Sequence, residues 1–223
     1  MYINGIVAMD KNKGIGKNNS LPWKISEDMR NFKKLTIGNK KNAIIMGKNT
    51  YLDVNFLKER DNLVLSSSIT LDEKRENNIL KSFKNIEELL KFCKTQNYEK
   101  IWVIGGSQIY KQFLEMNIIQ YLYVTVISND YNCDTFFPKV PGNYFISNNI
   151  PREINENNKI IPISYMILKK IKQGDTVYYK LSKGIIKDVH FDDPPNVYFT
   201  VEIEGKEIQT TRDKISLKLN YKS

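Results

Sequence analysis

KIWVIGGSQIYKQFLEM, residues 100–116, joins two kinds of pattern at a pair of glycines. Before Gly105-Gly106 lies a short apolar run, the pattern of a strand buried on both faces. After them SQIYKQFLEM spaces its apolar residues as a helix does. A strand that turns through glycine straight into a helix is the unit of a parallel α/β sheet. It also aims the helix N-terminus at the carboxyl end of the sheet. Unpaired amides and the helix dipole there suit a phosphate, and glycine lets one approach closely. The fuller G-x-G-x-x-G pattern is absent because position 107 is Ser, so the pair alone also reads as plain turn geometry.

The same grammar extends in both directions. Short apolar runs bounded by turn residues predict strands at 2–9, 42–47, 62–68, 121–127 and 162–170, besides 100–106. Helical patterns fall between them at 25–36, 48–55, 85–95 and 107–116. In the first, Ile25, Met29, Phe32 and Lys33/Leu35 form a stripe with Ser26 as its expected N-cap. After Lys170 the pattern changes to alternation. Val197, Phe199, Val201 and Ile203 fall on one face of a strand and Tyr198, Thr200 and Glu202 on the other. Glu204-Gly205 signals a two-residue hairpin and Asp192-Asp193-Pro194-Pro195 an irregular turn. Four or five short antiparallel strands are expected, the pattern of a small barrel. The domains are therefore placed at residues 1–170 and 171–223, the second so small that it is expected to lean on the first.

Composition narrows the classes. With 41% hydrophobic and 26% charged residues, the 223-residue chain has the make-up of an ordinary folded, soluble protein. No run has the length of a membrane span, and MYINGIVAMD lacks the order of a signal peptide, so a cytoplasmic protein is expected. Cys93 and Cys133 are too few for a disulfide framework and read as reduced thiols. The net charge of +9 raises the question of nucleic acid. Its distribution answers it: residues 1–170 carry 25 Lys and Arg against 17 Asp and Glu, and residues 171–223 carry nine against eight. Such a thin spread contains no basic block and suits small anionic ligands better than a polyanion.

Two further strand ends add to the glycine pair. Met46-Gly47-Lys48-Asn49-Thr50 sets a cation, an amide and a hydroxyl at the start of a helix, and Leu65-Ser66-Ser67-Ser68 sets three hydroxyls at the end of a strand. With Gly105-Gly106 they outline a row suited to a dinucleotide lying across the sheet. Near the N-terminus, KNKGIGKNNSLPWKISEDM (11–29) runs a glycine loop into Leu-Pro-Trp and a helix carrying Asp28. Asp28 and Phe32 share a face, since residues i and i+4 stack. Asp28 is either a first-turn acid stabilised by the dipole or a buried carboxylate for a cationic or amidine-like heterocycle.

IVAMDKNKGIGKNNSLPW, then Asp28, Phe32, MGKNTY, LSSS, VIGGSQIY, DTFFP and SYMILKK, resemble the dihydrofolate reductases in order over residues 1 to about 170. The resemblance implies an α/β fold with a central, mostly parallel mixed sheet flanked by helices, followed here by the small all-β, SH3-like barrel. It implies NADPH-dependent reduction of dihydrofolate by a protein expected to be a monomer. Asp28 would be the one ionisable group at the pteridine. Trp23 would hold ordered water beside it, Thr125 would bond its carboxylate side, and Leu21 would belong to the mobile loop with Asn18, Asn19 and Ser20. Ile6, Ala8, Met29, Phe32, Val54, Leu57, Ile104 and Tyr110 would line the substrate pocket, and Arg60 would pair with the glutamate carboxylate of folate. Ala8, Ile15, Gly16, Asn19, Ser20 and Thr135 would face the cofactor. So would Gly47, Lys48, Asn49, Thr50, Leu65, Ser66, Ser67 and Ser68, and Ile104, Gly105, Gly106, Ser107, Gln108 and Ile109. Lys48 and the serines would lie near the 2′-phosphate.

Two departures stand out. Asn55-Phe56-Leu57-Lys58-Glu59 replaces the family's proline-rich turn before the arginine, which loosens the register of Arg60, and Lys48 stands where an arginine is frequent. A deaminase-linked pyrimidine reductase shares the fold, but Trp23, Asp28 and Arg60 together weigh against it. The intact acid, loop and glycine pair disfavour a folate- or nucleotide-binding adaptor without catalysis. His190, the one histidine, lies in the tail, so neither a triad nor a histidine metal site is available and no metal is expected. Cys93 reads as core, Cys133 as structural, and Glu87-Glu88 as a solvated helix face. In the tail, Tyr178, Tyr179, Tyr198 and Asp192-Asp193 could line a groove for a peptide or protein ligand, although packing within the barrel accounts for them better.

Overall fold

The computed structural model describes residues 2–193 and 196–218. Its first part runs β1 (Ile3–Asp10), β2 (Gly14–Gly16), α1 (Ser26–Ile37), β3 (Asn42–Gly47), α2 (Lys48–Val54) and β4 (Asp61–Leu65). It continues with β5 (Asp72–Arg75), β6 (Asn78–Phe83), α3 (Ile86–Thr95), β7 (Lys100–Gly105), α4 (Ser107–Glu115) and β8 (Tyr121–Ile127). Then come β9 (Thr135–Phe136), β10 (Tyr144–Glu156) and β11 (Lys159–Lys170). Nine of these strands form one mixed sheet in the order β10-β11-β8-β1-β7-β3-β4-β6-β5. β1 pairs in parallel with β7 and β8, β3 with β4 and β7, and β4 with β6, while β5 is antiparallel at the edge. Ala43, Ile44, Ile45 and Met46 of central β3 are all fully buried, the two-faced burial that an apolar run in a parallel sheet requires.

α1 departs from its expected pattern at two positions. Its N-cap is Ile25, which has no acceptor, and Ser26 is the first helical residue, its hydroxyl turned to Glu156 instead. Met29 is 50% exposed, so the buried side of the helix is made by Asp28, Thr36 and Ile37, with Phe32 and Leu35 half-buried beside them. The strand expected at 62–68 ends at Leu65, after which Ser68 turns back to bond Ser66. β2, β5, β6, β9 and β10 fall outside the expected strands. β5 is four exposed charged residues, and β10 spends most of its thirteen residues in solvent and contains Pro151. Neither carries the apolar alternation from which strands are read.

The chain divides into two compact units, Met1–Lys139 with Ile150–Met166, and Val140–Asn149 with Ile167–Ser223. The division is not a single cut because β10 and β11 each contribute to both. Phe145 from β10 and Ile171 just after β11 are buried in the second unit's core. That unit adds β12 (Thr176–Tyr179), β13 (Ser182–Asp193), β14 (Asn196–Ile203), β15 (Lys206–Thr211) and β16 (Ile215–Ser216). They form an antiparallel sheet in the order β15-β14-β13-β12-β16. Phe199 and Val201 are fully buried with Val197 and Ile203 packed beside them, the expected inner face of β14. Glu204 and Gly205 both have positive φ, 51° and 77°, the two-residue turn that matches strand twist. Tyr179 packs on the core, and Tyr198 stacks on His190 at 4.3 Å. Pro194-Pro195 and the side chains of Asp192 and Asp193 lie outside the described residues.

Candidate active site

Three strand ends meet in register. Met46 of β3 lies opposite Gly105 of β7, and Gly47 opposite Leu65 of β4. Gly105 has φ of +113°, and a Cβ there would sit 2.9 Å from the Tyr110 ring. At Gly47 a Cβ would press Ile109 at 3.1 Å and at Gly106 would lie 3.4 Å from Thr50 Oγ1. Gly105 is the position that demands glycine, by its φ and by the Tyr110 ring against it. The Gly105-Gly106 peptide is cis. Lys48 Nζ donates to Ser68 Oγ at 3.0 Å, and Ser66 Oγ lies 3.3 Å from Ser68 Oγ, so a cation and two hydroxyls gather on one spot. Asn49 and Ser67 are exposed beside them, and Gln108 is exposed on α4. Ser107 is committed elsewhere, its hydroxyl donating to the Phe136 carbonyl at 2.7 Å.

The acid lies next to this row. Asp28 is 7% exposed on α1. Burial raises its pKa, and a hydrogen bond from the Thr125 side chain opposes the rise. Thr125 arrives on β8 directly opposite Ala8 of β1. Tyr110 Oη donates to the Ile6 carbonyl at 2.6 Å, and burial, then the charge of Asp28, pushes its phenol up. Ile6, Ala8, Thr125, Tyr110 and Asp28 therefore converge, with Ile104 half-buried at the end of β7. Trp23 is buried against Ile25, Ile127 and Ile163, its ring 5.1 Å from that of Tyr131. The Trp23 Nε1 donor is buried without a partner. Leu21 and Met29 stand exposed at the rim.

Phe32, Val54 and Leu57 form an apolar wall with Ile6 and Met46. Arg60 lies behind it, 3% exposed, its guanidinium 5.7 Å over the Phe32 ring. Arg60 Nε and Nη1 are buried without partners, and burial brings the pKa down to about 10 against the pull of Glu59. Asn62 was missed as a site residue. Its side chain accepts from Leu57 N at 2.9 Å and donates to the carbonyls of Leu57 and Arg60, both at 2.8 Å. These bonds hold the turn where the proline-rich sequence is lacking.

The glycine loop is pinned at several points. Gly14 and Gly16 pair with Phe136 and Thr135, and Lys17 bridges to Ser20 around Asn18 and Asn19, both at positive φ. Ile15 is half-buried between the glycines. Asn18 N donates to Asp134 Oδ2 at 2.8 Å, and Thr135 Oγ1 donates to the other oxygen. Ser20 Oγ donates to Asp53 Oδ1 at 2.9 Å, and Asn49 Nδ2 to Asn19 Oδ1 at 3.4 Å, tying the tip to α2. The root is Asp10, also missed, which is 1% exposed. Its carboxylate accepts from the amides of Asn12, Gly14 and Tyr131. Burial pushes its pKa up, but these amides and the Cys133 thiol outweigh it and hold the acid below its usual value.

A buried acid, a buried guanidinium with two unpartnered nitrogens and a glycine-lined row of strand ends thus share one unit of the fold. The family model for dihydrofolate reductase matches residues 2–170. The dihydrofolate reductase of Drosophila melanogaster is 34% identical over 182 residues, 76% of this chain and 98% of its own length. That of Gallus gallus is 34% identical over 148 residues, 62% of this chain and 78% of its own. That of Bos taurus is 32% identical over 148 residues, 62% and 79% respectively. On that extent of match, the chain belongs to the dihydrofolate reductase family.

Proposed function

We propose that the protein reduces 7,8-dihydrofolate to 5,6,7,8-tetrahydrofolate with NADPH, supporting one-carbon and thymidylate metabolism. The observation that carries this reading is Asp28, a single buried carboxylate bonded to Thr125 beside the glycine-lined strand ends. A carboxylate so placed accepts hydrogen bonds from the amidine-like edge of a pterin, and its raised proton affinity favours protonation at N5. NADPH, when bound, supplies the hydride that pterin C6 receives.

The residues present fit both ligands. Gly105 and Gly106 leave room for a pyrophosphate to approach the first amides of α4. Lys48, Ser66 and Ser68 offer a cation and hydroxyls to a 2′-phosphate. Ile6, Ala8, Phe32, Val54 and Leu57 wall the substrate pocket, with Met29 and Leu21 closing on it from the rim. The unpaired nitrogens of Arg60 suit a carboxylate of the folate glutamate, a bond pattern natural to guanidinium. Trp23 Nε1, buried without a protein partner, suits an ordered water next to the acid. The loop anchored on Asp10 excludes solvent over the reacting centre.

Residues 171–223 are read as a small SH3-like barrel serving as a docking or binding module, a reading supported by their antiparallel strands and by a core that they build together with Phe145 of β10. The free thiols Cys93 and Cys133 suit a reducing compartment such as the cytoplasm. Among the described residues no helix is long and apolar enough to cross a membrane. The decisive experiment incubates the full chain with dihydrofolate and NADPH and follows both nicotinamide oxidation and tetrahydrofolate formation. Nicotinamide oxidation that does not depend on dihydrofolate would refute the assignment.

A further inference from the structure

A helix is ordinarily closed at its N-terminus by a side-chain acceptor on the residue just outside it. α1 has none, because Ile25 occupies that position. The acceptor comes from β10. Glu156 Oε2 accepts from the Ser26 N–H at 3.0 Å, and Glu156 Oε1 accepts from Ser26 Oγ at 2.7 Å. Both oxygens of one carboxylate therefore close on the first residue of the helix, from 130 residues away in sequence. Asp28 lies two residues further on, in the same turn.

We propose that Glu156 is a positioning residue for the acid of the site: by capping α1 from β10, it keeps the first turn wound and Asp28 withdrawn from water. The inference rests on the reading of Asp28 given above. Its physical logic is short. Burial is the main cause of the raised proton affinity of Asp28, so a first turn that opens to water lowers that affinity. The chargeable groups facing this corner are Glu27 and Arg30 from α1, Arg152 and Glu156 from β10, Tyr165 from β11 and Tyr110 from α4. Thr125 of β8 adds its hydrogen bond. Arg30 acts on Glu156 and helps keep it ionised, its pKa lowered first by the two bonds from Ser26. Removing the Glu156 charge and loosening the turn act in the same direction, because losing a nearby negative charge and gaining solvent both favour ionised Asp28. The charge effect is the smaller because Glu156 is screened by solvent, and exchange of the Met29 amide reads the turn by itself.

The test is an NMR titration of carboxyl-labelled aspartate in the full-length protein, with the Asp28 signal assigned by its loss in Asp28→Asn. In Glu156→Ala the Asp28 midpoint is expected to fall, and the Met29 amide, which bonds the Ile25 carbonyl, to exchange about five- to tenfold faster. Glu156→Gln keeps an acceptor and is expected to fall between the parent and Glu156→Ala, so it carries the test should Glu156→Ala not fold. An unchanged Asp28 midpoint in both folded variants, or a lowered midpoint with unchanged Met29 exchange in Glu156→Ala, overturns the proposal. The titration reads Asp28 whether or not it handles the proton in turnover. A lowered midpoint with faster Met29 exchange and an unaltered pH profile of turnover upholds the cap and refutes the catalytic reading of Asp28 alone.

Discussion

Asn62 donates its side-chain amide to the Arg60 carbonyl at 2.8 Å while the same side chain brackets the backbone of Leu57. Asn62 is fully buried, so these three bonds face no competition from water. The turn that aims the Arg60 guanidinium depends on them, since no proline stiffens residues 55–59.

Asn62→Ala is therefore expected to cost about 2–4 kcal/mol of stability, from lost bonds and stranded backbone groups. It is also expected to raise KM for dihydrofolate several-fold more than it lowers kcat. Urea unfolding and steady-state kinetics on the same preparation check both. A loss of stability with an unchanged KM for dihydrofolate would mean that Arg60 is aimed by something other than this turn.

Lys48 is held by Ser68 and faces the Ser66 hydroxyl across it. If this cluster receives the 2′-phosphate, Lys48→Ala removes a charged hydrogen bond of about 1.5–3 kcal/mol. KM for NADPH is then expected to rise about 10- to 100-fold while KM for NADH stays nearly constant. Parallel assays with the two nicotinamides make the comparison, and an equal rise for both would detach Lys48 from the phosphate.

Burial raises the pKa of Asp28, so the folded protein binds its proton more tightly than the unfolded chain does. The ionised acid accordingly destabilises the fold, and stability falls as pH rises from the ordinary value of 3.8 through the raised one. Asp28→Asn is expected to be more stable than the parent at neutral pH, with the difference vanishing below that window. Turnover of this variant at neutral pH is expected to drop about 10²-fold or more. Thr125→Val removes the bond that favours ionisation, so the limb along which activity falls with rising pH is expected to move to higher pH. Denaturation at several pH values and a pH–rate profile test the two signs separately.

The parallel sheet was legible because its central strands are buried on both faces, which writes them as plain apolar runs such as Ala43–Met46. The row of strand ends was legible for a related reason: close backbone approach demands glycine or small polar residues at fixed places. What could not be read were side chains acting over long separations or on their own backbone. Ser26 has the composition of an N-cap, but the cap is Glu156, and no local window contains both. Asn62 and Asp10 look like ordinary polar residues at strand boundaries. Their roles depend on which amides the fold delivers to them. Met29 keeps the helical spacing of an apolar stripe but falls on a face that the core does not cover.

Asp10 supports the last prediction. Its two oxygens gather amides from Asn12 and Gly14 on one side and from Tyr131 on the other, joining the root of the glycine loop to the segment that leads into β9. In Asp10→Asn one oxygen becomes an amide donor, which must then face another donor. The expected loss is about 1–3 kcal/mol at neutral pH. Because the folded acid is held below the usual value, its contribution is fully present above pH 3.8 and is lost as pH falls through the lowered value. The difference between parent and variant should shrink as the solution is acidified below that point. The loop that Asp10 anchors also carries Asn19 and Ser20 to α2, so a loosened root should raise KM for NADPH. Urea midpoints at neutral and acid pH, read with NADPH kinetics, test the anchor: a stability gap that persists unchanged in acid would show that the carboxylate charge is not what holds the loop.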